Sequence, residues 1–233
     1  MSTVAIICAM PMELRAVVKQ LKLRKEDVGG VAARVGAIGD HRVVAVYTGM
    51  GTELATRSTE RLLDAMTPDR VVVVGITGAM EDDTPIGTMI LPEVVVNSET
   101  GSEHRPAPLG GGTPRGTMWT TNVITPPAEV AELRAKGVVS LDMETAAIAE
   151  SCEQRGIPWS VFRAISDRAS DGSIDDELFH LSNQDGTPNP RAVARYFLRH
   201  PLRIPRLMSM GMDAKRATEV AAAAAIAAIR TVD

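Results

Sequence analysis

Ser140-Leu141-Asp142-Met143-Glu144-Thr145-Ala146-Ala147, answered further on by Arg163-Ala164-Ile165-Ser166-Asp167, is the stretch from which the fold is read. In each segment an apolar run gives way to polar chain at an acidic residue. Val138 to Leu141 reads as a short buried strand and Trp159 to Ile165 as another. Between them, Met143 to Gln154 spaces Ala146, Ala147, Ile148 and Cys152 for one face of a helix. Strand, helix and strand in that order build an α/β sheet, and such sheets gather ligands at the carboxyl ends of their strands. Glu144 and Asp167 are therefore candidates for one cleft. Glu13 is a third, because it follows the first predicted strand, Val4 to Cys8, in the run Cys8-Ala9-Met10-Pro11-Met12-Glu13.

The same alternation runs outward through the chain. A helix is predicted from about Met12 to Leu21, then extended segments Ala32 to Ile38 and Val43 to Tyr47 with a hairpin turn at Gly39-Asp40. Thr52 to Met66 reads as a helix stopped by Pro68. Val71 to Val74 is a β-branched run of the kind buried on both faces in a central strand. Gly75 to Gly78 reads as a turn and Thr88 to Val96 as one longer strand. Asn97 to Arg115 has no period, and a loop that long in a small domain is a functional loop or disordered. Gly116-Thr117-Met118-Trp119 continues as strand. The C-terminal third reads as helices over Pro190 to Arg199, a kinked Pro201 to Met210 and an alanine-rich Asp213 to Arg230. Alanine buries little area, so that last helix is expected against a neighbour or in solvent, away from the main core. The expectation is a single α/β domain over residues 1–233, three-layered α/β/α with a mixed, mainly parallel central sheet and a helical C-terminal extension from about residue 189.

Composition excludes several classes of partner. A formal net charge of −4 over 233 residues lacks the basic stripe of a nucleic-acid binder. Aromatic residues make up 3% of the chain, too few for a base-stacking platform of many rings. Cys8 and Cys152 read as small buried apolar residues; with no secretory leader pattern and no membrane span predicted, the expected compartment is the cytoplasm. His41, His104, His180 and His200 have no partner at metal-ligand spacing, so no metal site is expected.

The Met-Glu and Ser-Asp segments, with Cys8 to Glu13, Thr48-Gly49-Met50-Gly51 and Gly75-Ile76-Thr77-Gly78-Ala79, resemble the nucleoside phosphorylase superfamily. Within it they are most similar to the 5′-methylthioadenosine/S-adenosylhomocysteine nucleosidases. Pro127-Ala128-Glu129 to Leu133, and the tail from Asp185-Gly186-Thr187-Pro188 to Arg199-His200-Pro201, resemble the hopanoid-associated phosphorylase group. The resemblance implies a nucleoside phosphorylase-like fold, assembled as a homodimer, that cleaves the N-glycosidic bond of a purine nucleoside by hydrolytic release of adenine from a 5′-modified adenosine. It also implies roles. Asp167 would be the general acid at N7 of the purine, oriented by Ser166. Glu144 would take the ribose 2′ and 3′ hydroxyls with Met143 against the sugar, and Glu13 would position the attacking water. Met50, Thr77 and Gly78 would complete the pocket. No cofactor is implied, beyond phosphate as co-substrate if the enzyme is a phosphorylase.

Each residue also has a plainer reading. A bare Ser-Asp pair is a common turn cap, and Glu13, Asp142 and Glu144 are acids at helix starts, where the macrodipole favours them; Asp142 is read as structural alone. Where the family usually carries Ser, this chain has Ile76, which leaves open hydrolysis, phosphorolysis, or nucleoside binding without catalysis. His104 and Arg105 would reach a substrate tail or lie in a solvated loop. Residues Arg195 to Arg206 alternate arginine with apolar side chains, as an interfacial helix or a surface element packed on the core would.

Overall fold

Strand β1 (Thr3–Cys8) shows how the layers form. Successive side chains on a strand point to opposite faces. Val4, Ile6 and Cys8 join one apolar cluster while Ala5 and Ile7 join another. The first cluster is closed by α1 (Pro11–Leu21) and by the long C-terminal helix, the second by α2 (Thr52–Ala65) and α4 (Thr145–Glu153). The computed structural model describes residues 2–169, 181, 183, 187, 189–200 and 203–231.

The sheet runs through β2 (Arg24–Val28), β3 (Val31–Ile38), β4 (His41–Tyr47), β1 and β5 (Arg70–Ala79). At β5 it forks. The first half of β5 lies parallel between β1 and β11 (Trp159–Arg168), while Gly78 and Ala79 pair antiparallel with Leu141 and Ser140 of β10 (Val138–Asp142). Beyond β10 come β9 (Thr117–Thr120), β7 (Val94–Asn97) and β8 (Glu103–His104), and β6 (Met89–Ile90) pairs with β11. The sheet is thus mixed: parallel around β4, β1, β5 and β11, antiparallel at its margins and at the seam between β5 and β10. Helix α3 (Pro127–Ala135) covers β10 through Val130 and Leu133. The three-layer α/β/α arrangement expected from the sequence is the one observed.

Five local expectations change. Asn97 to Arg115, expected without regular structure, carries the short strand β8, paired antiparallel with Val95 and Val96 of β7. Gly75 to Gly78 is not a turn but the continuation of β5, in register with β11 from Val71 to Ala79. The segment read as one strand from Thr88 is two, β6 and β7, separated around Pro92, which has no N–H to give a ladder. Strand β2, with charged residues at Arg24 to Asp27, carries no apolar alternation and was not expected; it is an edge held by backbone pairing to β3. The last two predicted helices are one, here α6 (Ile204–Ile229), after α5 (Pro190–Arg199). Pro205 falls in its first turn, where a missing N–H leaves no bond unmade. Gly211 inside it costs about 1 kcal/mol relative to alanine, which the rest of the helix absorbs.

Helix α6 also corrects the expectation that its alanines avoid the core. Ala217, Ala221, Ala222, Ala225, Ala228 and Ile229 are buried against β5, β11 and α1. Small side chains let the helix approach the sheet closely. Cys8 and Cys152 are both buried free thiols. None of the described helices is long and apolar enough to cross a membrane. His180, Asp185, Gly186, Pro188, Pro201 and Leu202 lie outside the described residues, as do the side chains of Phe197 and Leu198, which figured in the interfacial reading of Arg195 to Arg206.

Candidate active site

Arg163 is the residue around which the carboxyl ends of the strands are organised. It sits in β11 within the apolar sequence Val161-Phe162-Arg163-Ala164-Ile165 and is 1% exposed. A buried guanidinium demands buried counter-charges, and three carboxylates supply them. Its Nη2 donates to Asp142 Oδ2 at 2.7 Å and to Glu144 Oε2 at 3.2 Å, and its Nη1 lies 3.8 Å from Glu13 Oε1. Nη1 also donates to the Ile76 carbonyl at 2.9 Å. Burial works against this charge, but Asp142, Glu144 and Glu13 together hold the guanidinium more firmly protonated than usual.

Glu13 reaches this cluster because α1 begins immediately after β1. Its Oε2 accepts the backbone N–H groups of Ala9 and Met10 at 2.8 and 2.9 Å, which also caps the helix, and its Oε1 accepts that of Ile76 at 2.8 Å. The carboxyl is fully buried, and burial raises its pKa against the opposing pull of Arg163 and those three N–H groups. Gly75 makes room for it. A Cβ there would stand 2.3 Å from Glu13 Oε1 and 2.8 Å from Arg163 Nη1. The chain at this point is therefore a strand that can carry no side chain.

Glu144 stands at the N-cap of α4, 4% exposed. Its Oε1 accepts the N–H of Gly51, at the start of α2, at 3.0 Å. Burial pushes its pKa up to about 7; Arg163 and the Gly51 N–H oppose the shift, and the neighbouring Asp142 and Glu13 charges reinforce it. Met143 precedes Glu144 in the chain and Met50 precedes Gly51, and each is partly exposed.

At the far end of β11 the register slips between Ile165 and Asp167, so that Ser166 is the extra residue of a bulge. Bulges beside functional sites re-aim side chains. Here the Ser166 hydroxyl donates to Asp167 Oδ1, and Asp167 comes to face Gly78, 3.2 Å from where a Cβ on that glycine would stand. Thr77 is tied to β10 through its hydroxyl, which donates to the Leu141 carbonyl at 2.6 Å. The elements thus bring Glu13, Glu144, Thr77, Gly78, Ser166 and Asp167 to one end of β1, β5, β10 and β11.

Arg163 and Asp142 are the members that sequence reasoning did not assign. The available signal was an arginine inside an otherwise apolar strand. Asp142 read as a helix-start acid; it does accept the Thr145 N–H at 2.9 Å, but it is also Arg163's nearest partner. His104 fits neither of its expected roles. It is buried, and its Nδ1 pairs with Glu153 at 2.7 Å, whereas the exposed Arg105 pairs with Glu103. Among the described residues no group of three or more His, Cys, Asp or Glu side chains is placed to hold a metal ion.

A family model, the phosphorylase superfamily, matches residues 3–114 and 107–199. A 5′-methylthioadenosine/S-adenosylhomocysteine nucleosidase of Bacillus cereus strain B4264 is 25% identical over 219 residues, covering 77% of this chain and 95% of the relative. The solved S-adenosylhomocysteine nucleosidase of Streptococcus pyogenes has a TM-score of 0.75 at 16% identity, over 100% of this chain and 98% of that one. Futalosine hydrolase of Helicobacter pylori gives 0.73 at 15% identity, over 99% and 98%. At these identities the structural likeness speaks for the fold.

Proposed function

The chain belongs to the phosphorylase superfamily, and from that premise we propose that it cleaves the N-glycosidic bond of a purine nucleoside, releasing adenine from a 5′-modified adenosine by hydrolysis. The observation that carries this reading is the convergence of Glu13 and Glu144 on Arg163, beside the Ser166–Asp167 bulge.

Breaking the bond leaves an oxocarbenium-like sugar, so the departing base needs a proton and the sugar needs an anchor and a nucleophile. Asp167, oriented by Ser166, gives its proton to N7, and adenine leaves neutral. Thr77 and Gly78 border the base. Glu144 accepts hydrogen bonds from the two ribose hydroxyls, with Met143 and Met50 against the sugar. Glu13 holds a water below the anomeric carbon and takes its proton as the new C–O bond forms. The reaction needs no cofactor.

Water is favoured over phosphate by two observations. Phosphate sites offer arginine forks or converging backbone amides, and the donors of Arg163 are already directed at Asp142, Glu144, Thr145 and the Ile76 carbonyl. The side chain of Ile76 has no hydroxyl to add. The test is chromatography of the purified protein with 5′-methylthioadenosine, 5′-deoxyadenosine and inosine, each with and without phosphate. Adenine released without phosphate is the expected result. Release only with phosphate makes the enzyme a phosphorylase, and binding without release makes it a nucleoside receptor.

The same reading includes a cytoplasmic homodimer. Exposed Tyr47, and Val123 and Ile124 on the loop that Asn122 ties to the start of α2, support a contact on the Met50 side of the site. Light scattering on the eluting protein checks it: a monomeric mass is incompatible with this part of the reading.

A further inference from the structure

We propose that Asp142 is a positioning residue that keeps the Glu144 carboxylate open to two sugar hydroxyls by limiting Arg163 to a single hydrogen bond with it. The inference rests on the nucleoside reading above. A carboxylate has about four lone-pair directions, two on each oxygen. Glu144 uses one of Oε1 for the Gly51 N–H and one of Oε2 for Arg163 Nη2. One direction remains on each oxygen, which suits a pair of vicinal hydroxyls.

An arginine left alone with a carboxylate forms a two-pronged fork across both oxygens. That fork would occupy the directions the sugar needs. Asp142 prevents it. It takes the same Nη2 at 2.7 Å, closer than Glu144 at 3.2 Å, while Nη1 is turned to the Ile76 carbonyl. Asp142 is itself fixed by the Thr120 hydroxyl at 2.6 Å, by the Thr145 N–H at 2.9 Å and by the Thr145 hydroxyl. It is 6% exposed and acts through Arg163.

The charged groups that act on Glu144 come from three elements, Glu13 on α1, Asp142 on β10 and Arg163 on β11, and Cys8 on β1 interacts in turn with Glu13 and Arg163. Burial first, then the Glu13 charge, keeps the Cys8 thiol neutral. Loss of the Asp142 charge releases Arg163 toward Glu144 and removes a repulsion. Both changes make Glu144 easier to ionise. The low-pH limb of kcat/KM then moves to lower pH. KM at neutral pH rises because the fork competes with the sugar, while kcat changes less.

The experiment compares pH profiles of base release for the wild type, Asp142→Asn, Asp142→Ser and Asp142→Glu. The serine variant keeps a side-chain oxygen for the Thr145 N–H and carries the test if the asparagine variant does not fold. Both neutral variants should shift the limb downward by about half a pH unit or more and raise KM by about fivefold. Asp142→Glu, which keeps the charge, should leave the limb in place. A limb unmoved in the neutral variants, with only thermal stability reduced, overturns the proposal; so does an equal shift in the glutamate variant. Wild-type protein that releases base with an unmoved limb in its variants refutes this inference alone. Wild-type protein that releases no base refutes the nucleoside reading and this inference together.

Discussion

Asp167 and Arg163 lie four positions apart on one strand, and the contrast between them shows what a residue reveals on its own. Asp167 stands at a strand end, where the sequence already placed it, and the bulge turns it toward Gly78 beside the Ser166 hydroxyl. Replacing it by asparagine keeps the shape and removes the transferable proton. Asp167→Asn should lower kcat for base release by about 100-fold or more, with the circular dichroism spectrum unchanged. Near-normal turnover would remove Asp167 from the acid role. Arg163 was harder to read because its meaning lies in its partners. Glu13, Asp142 and Glu144 are distributed over more than 130 positions of sequence, counting from 13 to 144. Only folding shows that they meet on one guanidinium. Gly75 is hard to read for a related reason: glycine usually marks a turn, and nothing local says that a carboxylate and a guanidinium occupy the space of its missing Cβ.

Elements with one regular period were legible, and those shaped by their neighbours were not. β1, α1, α2 and β11 each carry the apolar spacing of their class, and their predicted bounds fall close to those observed. β2 has no such spacing, since its place depends on the edge that β3 offers. Alanine content alone could not tell whether α6 lies on the sheet or in solvent. Burial of Ala221 and Ala222, both with 0% exposure, decides for the sheet and yields a prediction. Ala222→Leu adds three carbons where no space exists, and overpacking of that kind costs about 1–3 kcal/mol. Urea denaturation should show the midpoint lowered by a corresponding amount. An unchanged midpoint would mean that α6 stands off the sheet.

For the whole molecule, the buried cluster makes stability depend on pH in a stated direction. Burial raises the Glu144 carboxyl from its ordinary 4.5 to about 7, and Glu13 is raised as well. The unfolded chain therefore gives up these protons at lower pH than the folded one. The stability that Glu144 contributes by retaining its proton is full below about 4.5 and is lost as pH rises through about 7. Glu144→Gln has no proton to lose there. Its denaturation free energy, followed by urea titration across that interval, should fall less steeply with pH than the wild type's. Parallel slopes would contradict the raised carboxyl. A bound nucleoside favours the ionised form and should flatten the wild-type slope toward that of the variant.

The fork in β5 has an optical consequence. Trp159 lies on β11 and Trp119 on β9, so the two tryptophans sit on the two wings of sheet that part at β5. They are the only tryptophans in the chain. A strand shared by both wings should make them melt as one cooperative unit. Fluorescence from Trp119→Phe, which reports Trp159, and from Trp159→Phe, which reports Trp119, should then give a single coincident transition once each curve is referred to its own variant's calorimetric midpoint. Two separated transitions would mean that the wings are spectroscopically, and therefore mechanically, independent.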